Sequence, residues 1–293
     1  MIKMRNNQKI EKELKGKIVL ITGGAGSLGS KLTKRILQYP VKSVRVLDID
    51  EHALFKLGKE IQDKRLRLLL GNILDKERVA MAGNQADIIF HVAAIKNIEI
   101  SEFNPIETVE SNINGTINLI QMAIRDKPKK FINISTDKAV EASTLYGTTK
   151  HLGELLISWA GEHAFHFTKF ATVRLGNIIE TRGNVFEIWE EEKKKNLPLS
   201  ITDTSMKRYL FHVDEAVEFI LKCIHLVKRG EIFVPKMKSY DILKLADKIS
   251  TKQKIIGIRQ GEKLEEKLIS DDEKKFSKEN SEMWIIKPYT KLD

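Results

Sequence analysis

The amino-acid sequence predicts an α/β protein built on a doubly wound, parallel sheet. Three observations favour this fold. Short apolar segments alternate with helical patterns through the first half of the 293 residues, which is the rhythm of βαβ units. A glycine-rich turn joins the first apolar segment to the first helical one. The composition, 42% hydrophobic and 31% charged, is that of an ordinary folded domain.

Apolar and β-branched residues mark the strands, and residues that recur every three to four positions mark the helices between them. The predicted strands span residues 17–22, 44–48, 66–70, 87–91, 130–135 and 167–175. The predicted helices span residues 27–38, 53–61, 107–125 and 145–161. We therefore expect residues 1–175 to form one sheet-based domain.

The pattern changes after Gly176. Charged, helix-like stretches are interrupted by Pro198, Pro235 and Pro288, and only residues 231–234 resemble another strand of the main sheet. Residues 176–293 are therefore predicted to form mainly a small C-terminal lobe that binds the substrate, with one strand near 231–234 returning to the sheet.

The net charge of +10 does not by itself predict nucleic-acid binding, because runs such as 190–195 and 271–275 mix both signs. No segment reaches the roughly 18–20 apolar residues that cross a membrane, and residues 1–16 lack the apolar core of a signal peptide. The single cysteine, Cys223, lies among apolar residues and is predicted to be buried. We expect a soluble, cytoplasmic protein without nucleic-acid partners, membrane insertion or a metal site.

The glycine-rich turn is typical of a dinucleotide site. Gly23, Gly26 and Gly29 lie between the first strand and the first helix, where glycine permits a tight turn and close approach of a pyrophosphate. The helix N-terminus supplies free amides to the phosphates. The sequence therefore predicts a Rossmann-type NAD(P) site. Its phosphate-binding residues would be Gly23, Ala25, Gly26, Ser27, Leu28 and Gly29.

Asp48 lies 19 positions after Gly29, at the end of the second strand. A carboxylate there can accept hydrogen bonds from the ribose hydroxyls and repels a 2′-phosphate, so it favours NAD, although NADP remains possible. We expect Asn72 and Ile73 to border the adenine, and the small Ala93 and Ala94 to pass beside the cofactor. His91 is predicted to be structural rather than catalytic.

Tyr146 and Lys150 form a Tyr-x-x-x-Lys pattern on a predicted helix. Residues four apart share a helix face, so the lysine could lower the pKa of the phenol, which is near 10 when unperturbed, and hold the nicotinamide ribose. An enzyme that removes a proton from a sugar hydroxyl would need such a phenol. A nonenzymatic dinucleotide sensor would not.

Eight sequence blocks of the chain resemble those of a known family. The chain carries, in order, TGGAGSLG, HVAAIK, STDKA, YGTTK, RLGN, ITDTSMKR, GEIFVPK and GIRQGEKL. These blocks resemble the inverting UDP-N-acetylglucosamine 4,6-dehydratases, a polysaccharide-biosynthesis branch of the extended short-chain dehydrogenase/reductases. The resemblance covers residues 17–270 and matches the short, soluble form of the family.

The resemblance implies a reaction and its residues. Tyr146, supported by Lys150 and oriented with Thr136, would take the proton of the 4-hydroxyl while a hydride passes from C4 to NAD. Lys138, as a neutral amine, would then remove the C5 proton, and protonated Asp137 would donate to the departing 6-hydroxyl. Hydride would return to C6, and C5 would be reprotonated on the opposite face. Relatives that retain C5 configuration carry Asp-Glu where this chain has Asp137-Lys138.

The later blocks imply a site for the UDP-sugar, with Arg208 and Arg259 as the leading contacts of the diphosphate or uridine. The implied substrate-binding residues are Lys96, Asn177, Arg182, Thr202, Met206, Arg208, Arg259 and Glu262. Lys96 is also expected beside the cofactor. The chain departs from the family at residues 97–99, which read Asn-Ile-Glu in place of His-Val-Pro, and at Leu175, where a tyrosine is frequent.

The sequence is also compatible with two other functions. A UDP-sugar 4-epimerase or a C5-retaining dehydratase could use the same scaffold, although a 4-epimerase needs neither a C5 base nor a C6 acid. A nonenzymatic sensor would not need the tyrosine. We also expect a homo-oligomer.

Overall fold

The computed structural model describes residues 2–164 and 166–288. Its strands are β1 Ile18–Thr22, β2 Ser43–Asp48, β3 Leu66–Leu70, β4 Ile88–His91, β5 Lys130–Thr136, β6 Lys169–Leu175, β7 Asn177–Ile179, β8 Leu199–Ile201, β9 Lys207–His212, β10 Glu231–Pro235, β11 Ser239–Asp241, β12 Gln253–Ile255, β13 Ser277–Glu279 and β14 Met283–Ile286. Its α-helices are α1 Ile2–Leu14, α2 Ser27–Leu37, α3 Glu51–Glu60, α4 Lys76–Gly83, α5 Ile98–Phe103, α6 Pro105–Val109, α7 Gly115–Asp126, α8 Leu145–Ala164, α9 Val185–Lys194, α10 Val213–Cys223, α11 Ile242–Asp247 and α12 Asp271–Lys275.

The main sheet has nine strands in the described part of the chain, in the order β13-β14-β10-β6-β5-β4-β1-β2-β3. The seven strands from β10 to β3 run parallel, and β14 and β13 continue the sheet antiparallel. The direction of winding reverses between β1 and β4. In such sheets a crevice opens at this reversal, beyond the carboxyl ends of the strands, and ligands bind there.

Two apolar layers cover the sheet. Val19 and Ile21 of β1 pack with α1, α2, α3 and α10 on one face, whereas Leu20 packs with α4, α7 and α8 on the other. Successive side chains of a strand point to opposite faces, and both faces of this sheet are buried. This is why β1 reads as an unbroken apolar run in the sequence.

The predicted fold class is confirmed, and β1 to β6 lie within about two residues of the predicted strands. Three helices of this half, α1, α4 and α5, were not predicted, and α4 and α5 are short. Helix α1 lies in the basic, polar N-terminal segment and buries Ile10 and Leu14, which are four residues apart, against the sheet domain. Cys223 is buried in α10, as predicted.

The prediction that residues 231–234 are the only main-sheet strand after Gly176 is wrong, because β14 pairs with β10 and β13 pairs with β14. Strands of three or four residues at a sheet edge are too short to show a clear period. The same applies to the two small sheets of the lobe, β11-β9-β7 and β12-β8. The lobe has its own small core around Trp189, Met206 and Ile242.

A buried ion cluster ties the sheet to the C-terminal segment. The guanidinium of Arg174 on β6 contacts the Glu154 carboxylate on α8 at 2.7 and 2.9 Å and the Glu273 carboxylate on α12 at 2.6 and 2.9 Å. It also donates to the carbonyl of Leu268 at 3.1 Å. Arg174 is fully buried, so its charge depends on both carboxylates.

We expect Arg174→Met to destabilise the protein by about 3–5 kcal/mol, because it leaves two carboxylates buried together without their cation. Urea unfolding followed by circular dichroism measures this loss. Arg125→Met is the matched control: Arg125 pairs with Asp126 on the surface, so its loss should cause no measurable change. Equal stability of the Arg174→Met variant and the wild type would contradict this account of the cluster.

Candidate active site

A cavity of about 970 Å³ opens at the carboxyl ends of β1, β4, β5 and β6, between the sheet and the lobe. The glycine-rich turn, the segment after β4 and the start of α8 form its sheet side. Residues of α9, β8 and β9 and the segment around 256–266 form its lobe side. The predicted site residues that line it are Gly23, Gly26, Ser27, Leu28, Gly29, Asp48, Asn72, Ile73, Ala93, Ala94, Lys96, Thr136, Lys138, Tyr146, Lys150, Asn177, Thr202, Met206, Arg208, Arg259 and Glu262.

The glycine-rich turn forms a cradle that only glycine permits. Gly23 has φ +66°, and a Cβ there would lie 2.6 Å from the backbone of Ala93. A Cβ on Gly29 would lie 2.2 Å from the carbonyl oxygen of Gly23. The turn is therefore packed directly against the segment after β4, and it leads into the N-terminus of α2. This arrangement suits a pyrophosphate.

The Asp48 carboxylate holds the turn in place. One oxygen accepts from the amide of Ala25 at 2.9 Å and the other from the amide of Asp50 at 3.1 Å. Ala25 itself is buried behind the turn. Each carboxylate oxygen has further acceptor capacity, so Asp48 can still receive a ribose hydroxyl from the cavity side. Asn72 caps its own turn by accepting from the amide of Leu74.

Asn112 was missed by the sequence analysis. Its side chain accepts from the amide of Ile95 at 2.8 Å and donates to the carbonyl of Ile95 at 2.9 Å and to the Thr149 hydroxyl at 3.0 Å. It lies in a π-helical turn, Glu110–Asn114, inside the long helical segment. Asn112 thus fixes the cavity wall beside Ala94. A buried asparagine within an apolar helical pattern was the available signal.

His91 is structural, as predicted. It is fully buried between the hydroxyls of Thr22 and Thr116, at 2.8 and 2.9 Å from its two ring nitrogens. Burial and the charge of Lys150 lower the pKa of His91 to about 3, so the ring is neutral at physiological pH.

Tyr146 lies in the first turn of α8 and Lys150 one turn later, both buried on the cavity wall. The sequence analysis expects a lowered pKa for this phenol, but in the structure the net shift is upward. Burial, followed by the negative charge of Asp137, raises the pKa of Tyr146 above its ordinary value of 10. Burial also lowers the pKa of Lys150 to about 8, against the opposing effect of Glu154.

Asp137 and Lys138 form an ion pair beside Tyr146. The Lys138 Nζ lies 3.0 Å from the Asp137 Oδ1 and 3.2 Å from the Asn177 Oδ1. Thr136 donates to the same Asp137 oxygen at 3.0 Å. Asp137 is fully buried, and its Oδ2 finds no hydrogen-bond donor among residues 2–164 and 166–288. Lys138 lines the cavity, so the pair reaches the cavity through the amine.

The cations predicted to bind phosphate are paired with carboxylates. Arg208 lies 3.2 Å from Glu262, and Arg259 lies 3.1 Å from Glu99, one of the residues that depart from the family pattern. Lys96 donates to the carbonyl of residue 182 at 2.8 Å, and burial lowers the pKa of Lys96.

Arg182 is the predicted substrate residue that the structure does not bring into the cavity. Its amide donates to the Ser27 hydroxyl at 3.0 Å, while its guanidinium lies on the surface, 3.7 Å from Asp50. The backbone of Arg182 therefore closes the lobe against the glycine-rich turn, whereas its charge faces solvent.

Glu266 is a second residue that the sequence analysis missed. It lines the cavity on the lobe side and is only 5% exposed. Its Oε2 is buried and has no hydrogen-bond partner within the described part of the chain. Burial raises the pKa of Glu266 above its ordinary value. The available signal in the sequence was the position of Glu266 just after the GIRQGEKL block, three residues beyond Lys263.

The pattern that defines the polysaccharide biosynthesis proteins matches residues 19–288. The chain belongs to this family. A family member from Methanocaldococcus jannaschii, named an uncharacterized membrane protein, is 40% identical over 96% of this chain and 89% of its own length. A Campylobacter jejuni protein named UDP-N-acetylglucosamine 4,6-dehydratase (inverting) is 36% identical over 94% of this chain and 84% of its own length.

The solved structure of Pen from Bacillus thuringiensis has a TM-score of 0.91 with this polysaccharide biosynthesis protein, at 35% identity, and the match covers 94% of this chain and 89% of Pen. Within residues 2–164 and 166–288, no helix of this family member has the length and apolar character that crossing a bilayer requires.

We expect the Lys150 amine to lose its proton as the pH rises through about 8, because burial disfavours the charged form. An unperturbed lysine titrates near pH 10.4. NMR of ¹⁵N-lysine-labelled protein measures the midpoint, with the resonance assigned by Lys150→Arg. A midpoint at the ordinary lysine value would show that this amine is hydrated, contrary to the buried site described above.

Proposed function

We propose that the protein is an NAD-dependent UDP-N-acetylglucosamine 4,6-dehydratase that inverts the configuration at C5. The observation that carries this proposal is the Asp137–Lys138 ion pair, whose lysine lines the same cavity as Tyr146 and Lys150. A 4,6-elimination requires a phenol that takes the proton of the 4-hydroxyl. It also requires a separate base for the C5 proton and an acid for the departing 6-hydroxyl. The C. jejuni relative bearing this name supports the choice.

The cavity fits a dinucleotide on its sheet side. The absence of side chains at Gly23 and Gly29 lets the turn pack against Ala93 and against itself, and the N-terminal residues of α2 line the cavity beside it. When bound, NAD would accept a hydride from C4 and return it to C6. Asp48 would accept hydrogen bonds from the adenosine ribose, which favours NAD, and a 2′-phosphate of NADP would face its negative charge.

Tyr146 would hold the proton of the sugar 4-hydroxyl. Because its pKa is raised, the phenol is protonated at neutral pH and would first have to release this proton to solvent before it could take the proton of the 4-hydroxyl; positive charge beside it favours that release. Lys150, four residues along the same helix, supplies one such charge below pH about 8. The Thr136 hydroxyl, which lines the cavity together with Tyr146, would orient the 4-hydroxyl.

In the proposed mechanism, one proton would move between Asp137 and Lys138 across their 3.0 Å hydrogen bond. With that proton on Asp137, Lys138 is a neutral amine that can remove the C5 proton, and Asp137 can protonate the departing 6-hydroxyl. With the proton on Lys138, the pair is the resting ion pair. The two forms carry the same total charge, so the pair becomes reactive without taking up a proton from solvent.

The lobe side of the cavity would hold the UDP group. Arg208 and Arg259 would bind phosphate oxygens or the uracil, with Glu262 and Glu99 holding their guanidiniums in position. Asn177 would approach the diphosphate beside Lys138. Lys96, Thr202 and Met206 complete this wall. Arg182 would act through its backbone only.

We also infer the arrangement of the whole molecule. Residues 1–175 would bind the dinucleotide and 176–293 mainly the nucleotide sugar, with β10, β13, β14 and α10 belonging to the sheet domain. Exposed apolar side chains on the adjacent helices α5, α6 and α8, among them Phe103, Ile106 and Trp159, support a homo-oligomer. A cytoplasmic location suits a UDP-sugar substrate and the free thiol of Cys223.

The function is tested by incubating the protein with UDP-N-acetylglucosamine in deuterated water. We expect NMR to show a 4-keto-6-deoxy sugar with deuterium at C5 and L-arabino configuration, because C5 is reprotonated from solvent-exchanged groups. A 4-epimer that keeps its C5 hydrogen would overturn the proposal in favour of an epimerase, and D-xylo configuration in favour of a retaining dehydratase.

Lys138→Ala should lower kcat by at least about 10²-fold, the usual effect of removing a general base, while bound NAD is kept. Lys267→Ala is the matched control, since Lys267 lies on the surface beside Glu141. Unchanged turnover in Lys138→Ala would remove this lysine from the mechanism.

Gly29→Ala should abolish tight NAD binding, because its methyl group would lie 2.2 Å from the Gly23 carbonyl and force the cradle open. Isothermal titration calorimetry with NAD measures the loss. Gly153→Ala is the control: a Cβ there meets nothing within 4 Å, so NAD binding should be retained. NAD binding of wild-type strength in Gly29→Ala would place the dinucleotide elsewhere.

A further inference from the structure

The Asn177 side chain lies between the amine of Lys138 and the lobe. Its Oδ1 is 3.2 Å from the Lys138 Nζ, and its Nδ2 donates to the carbonyl of Tyr209 at 3.3 Å. Asn177 is half-buried and lines the cavity together with Lys138. The family pattern implies that Asn177 contacts the substrate. The structure shows in addition that its amide oxygen faces the amine.

The direction of this amide is fixed by the Tyr209 carbonyl. A backbone carbonyl accepts hydrogen bonds and cannot donate them, so the Nδ2 group of Asn177 must face it and Oδ1 must face Lys138. The reversed amide would place two oxygens against each other at Tyr209. It would also direct an N–H group at Lys138, where the lone pair of a neutral amine would accept it and be lost to the reaction. The second N–H of Nδ2 stays available for the diphosphate.

Close packing of the preceding residue holds Asn177 at this distance. A Cβ on Gly176 would lie 2.8 Å from the Tyr209 Cβ and 3.0 Å from the Met237 Cε, so a side chain there would force Tyr209 away. The Gly176 amide donates to the Met237 Sδ at 3.2 Å. Asn177 then pairs with Leu210, the residue after Tyr209, in the sheet of β7 and β9. The tight junction between β6 and β7 thus sets the position of the amide.

The Lys138 amine is anchored by two oxygens. Its Nζ donates to the Asp137 Oδ1 at 3.0 Å and to the Asn177 Oδ1 at 3.2 Å. An ammonium group has three N–H bonds, and Lys138 lines the cavity, so the third position is left for the cavity side. When one proton passes to Asp137, the amine keeps two N–H bonds and gains a lone pair. An amide oxygen accepts but cannot donate, so it holds an N–H bond and excludes the lone pair from its own direction.

We propose that Asn177 is a positioning residue for the base Lys138: its amide oxygen holds the Nζ in place and restricts the lone pair to Asp137 or the cavity. Facing Asp137, the amine exchanges the proton of the pair. Facing the cavity, it takes the C5 proton of the sugar. The C5–H bond breaks, an N–H bond of Lys138 forms, and the electron pair is delocalised onto the oxygen of the C4 ketone. This inference rests on the proposed dehydratase function.

The test uses Asn177→Leu, which keeps the shape of the side chain and removes its oxygen and its N–H groups. We expect kcat to be about 10- to 100-fold lower, because the long lysine side chain loses one of the two oxygens that fix its Nζ. Removal of the C5 proton should then be the slowest step. Substrate deuterated at C5 should therefore show a large isotope effect on kcat, and substrate deuterated at C4 almost none.

Two further variants accompany this test. Asn177→Ala removes the same groups without adding an apolar side chain, and it should give the same isotope effects. Asn84→Leu is the matched control: Asn84 is exposed after α4, so kcat and both isotope effects should be those of the wild type. Circular dichroism compares the folding of all three variants with that of the wild type.

Binding of UDP, measured by isothermal titration calorimetry, separates this role from a contact with the diphosphate, since UDP carries the phosphates but no sugar. If Asn177 serves the diphosphate alone, Asn177→Leu and Asn177→Ala should bind UDP more weakly but reach the wild-type kcat at saturating substrate. That result would overturn the proposal. A lowered kcat without an isotope effect at C5 would overturn it as well, because a general disturbance of the site slows all steps.

The two proposals fail in different ways. If the wild type forms no 4-keto-6-deoxy sugar, the dehydratase function is overturned, and the role of Asn177 falls with it. If the wild type forms this product and Asn177→Leu keeps the wild-type kcat or shows no isotope effect at C5, only the role of Asn177 is overturned.

Discussion

The close packing of α8 on the turn that follows β5 is the constraint on which the site depends. A Cβ on Gly147 would lie 2.3 Å from the carbonyl oxygen of Lys138, so the helix start and the turn are in direct contact. This contact brings Tyr146 beside Thr136 and Asp137, which are ten and nine residues earlier in the chain. Any larger residue at position 147 would separate the phenol from the acid–base pair.

The site is completed by a segment from the far end of the chain. Arg174, on the strand next to β5, binds Glu154 of α8 and Glu273 of α12 and so fixes the C-terminal segment to the sheet domain. The residues just before α12 then carry Glu266 into the cavity. The same buried cluster thus serves the fold and the placement of a carboxyl group on the cavity wall, although Arg174 itself does not line the cavity.

The sheet side and the lobe side of the cavity differ in their electrostatic environment. On the sheet side, burial moves the pKa values of Tyr146 and Lys150 in the directions that favour their neutral forms. On the lobe side, the guanidiniums of Arg208 and Arg259 lie beside the carboxylates of Glu262 and Glu99. The buried phenol and amine next to the Asp137–Lys138 ion pair suit proton transfer, whereas the arginines of the lobe side suit the negative charge of a diphosphate.

The sequence by itself determined the strands of the sheet domain up to β6, the glycine-rich turn, and the shared helix face of Tyr146 and Lys150. These features depend on local order: continuous apolar runs, a fixed glycine spacing, and residues four apart on one helix. The roles of Asp137 and Lys138 came only from the resemblance to the family, and the packing of α8 decided that they lie beside Tyr146. The tertiary structure alone decided the rest. Contacts between distant segments decided the edge strands β13 and β14, the hydrogen bonds of Asn112 that fix the cavity wall, the outward direction of the Arg182 side chain and the place of Glu266. Burial raised the pKa of Tyr146. Long-range contacts and burial leave no periodic pattern in the sequence.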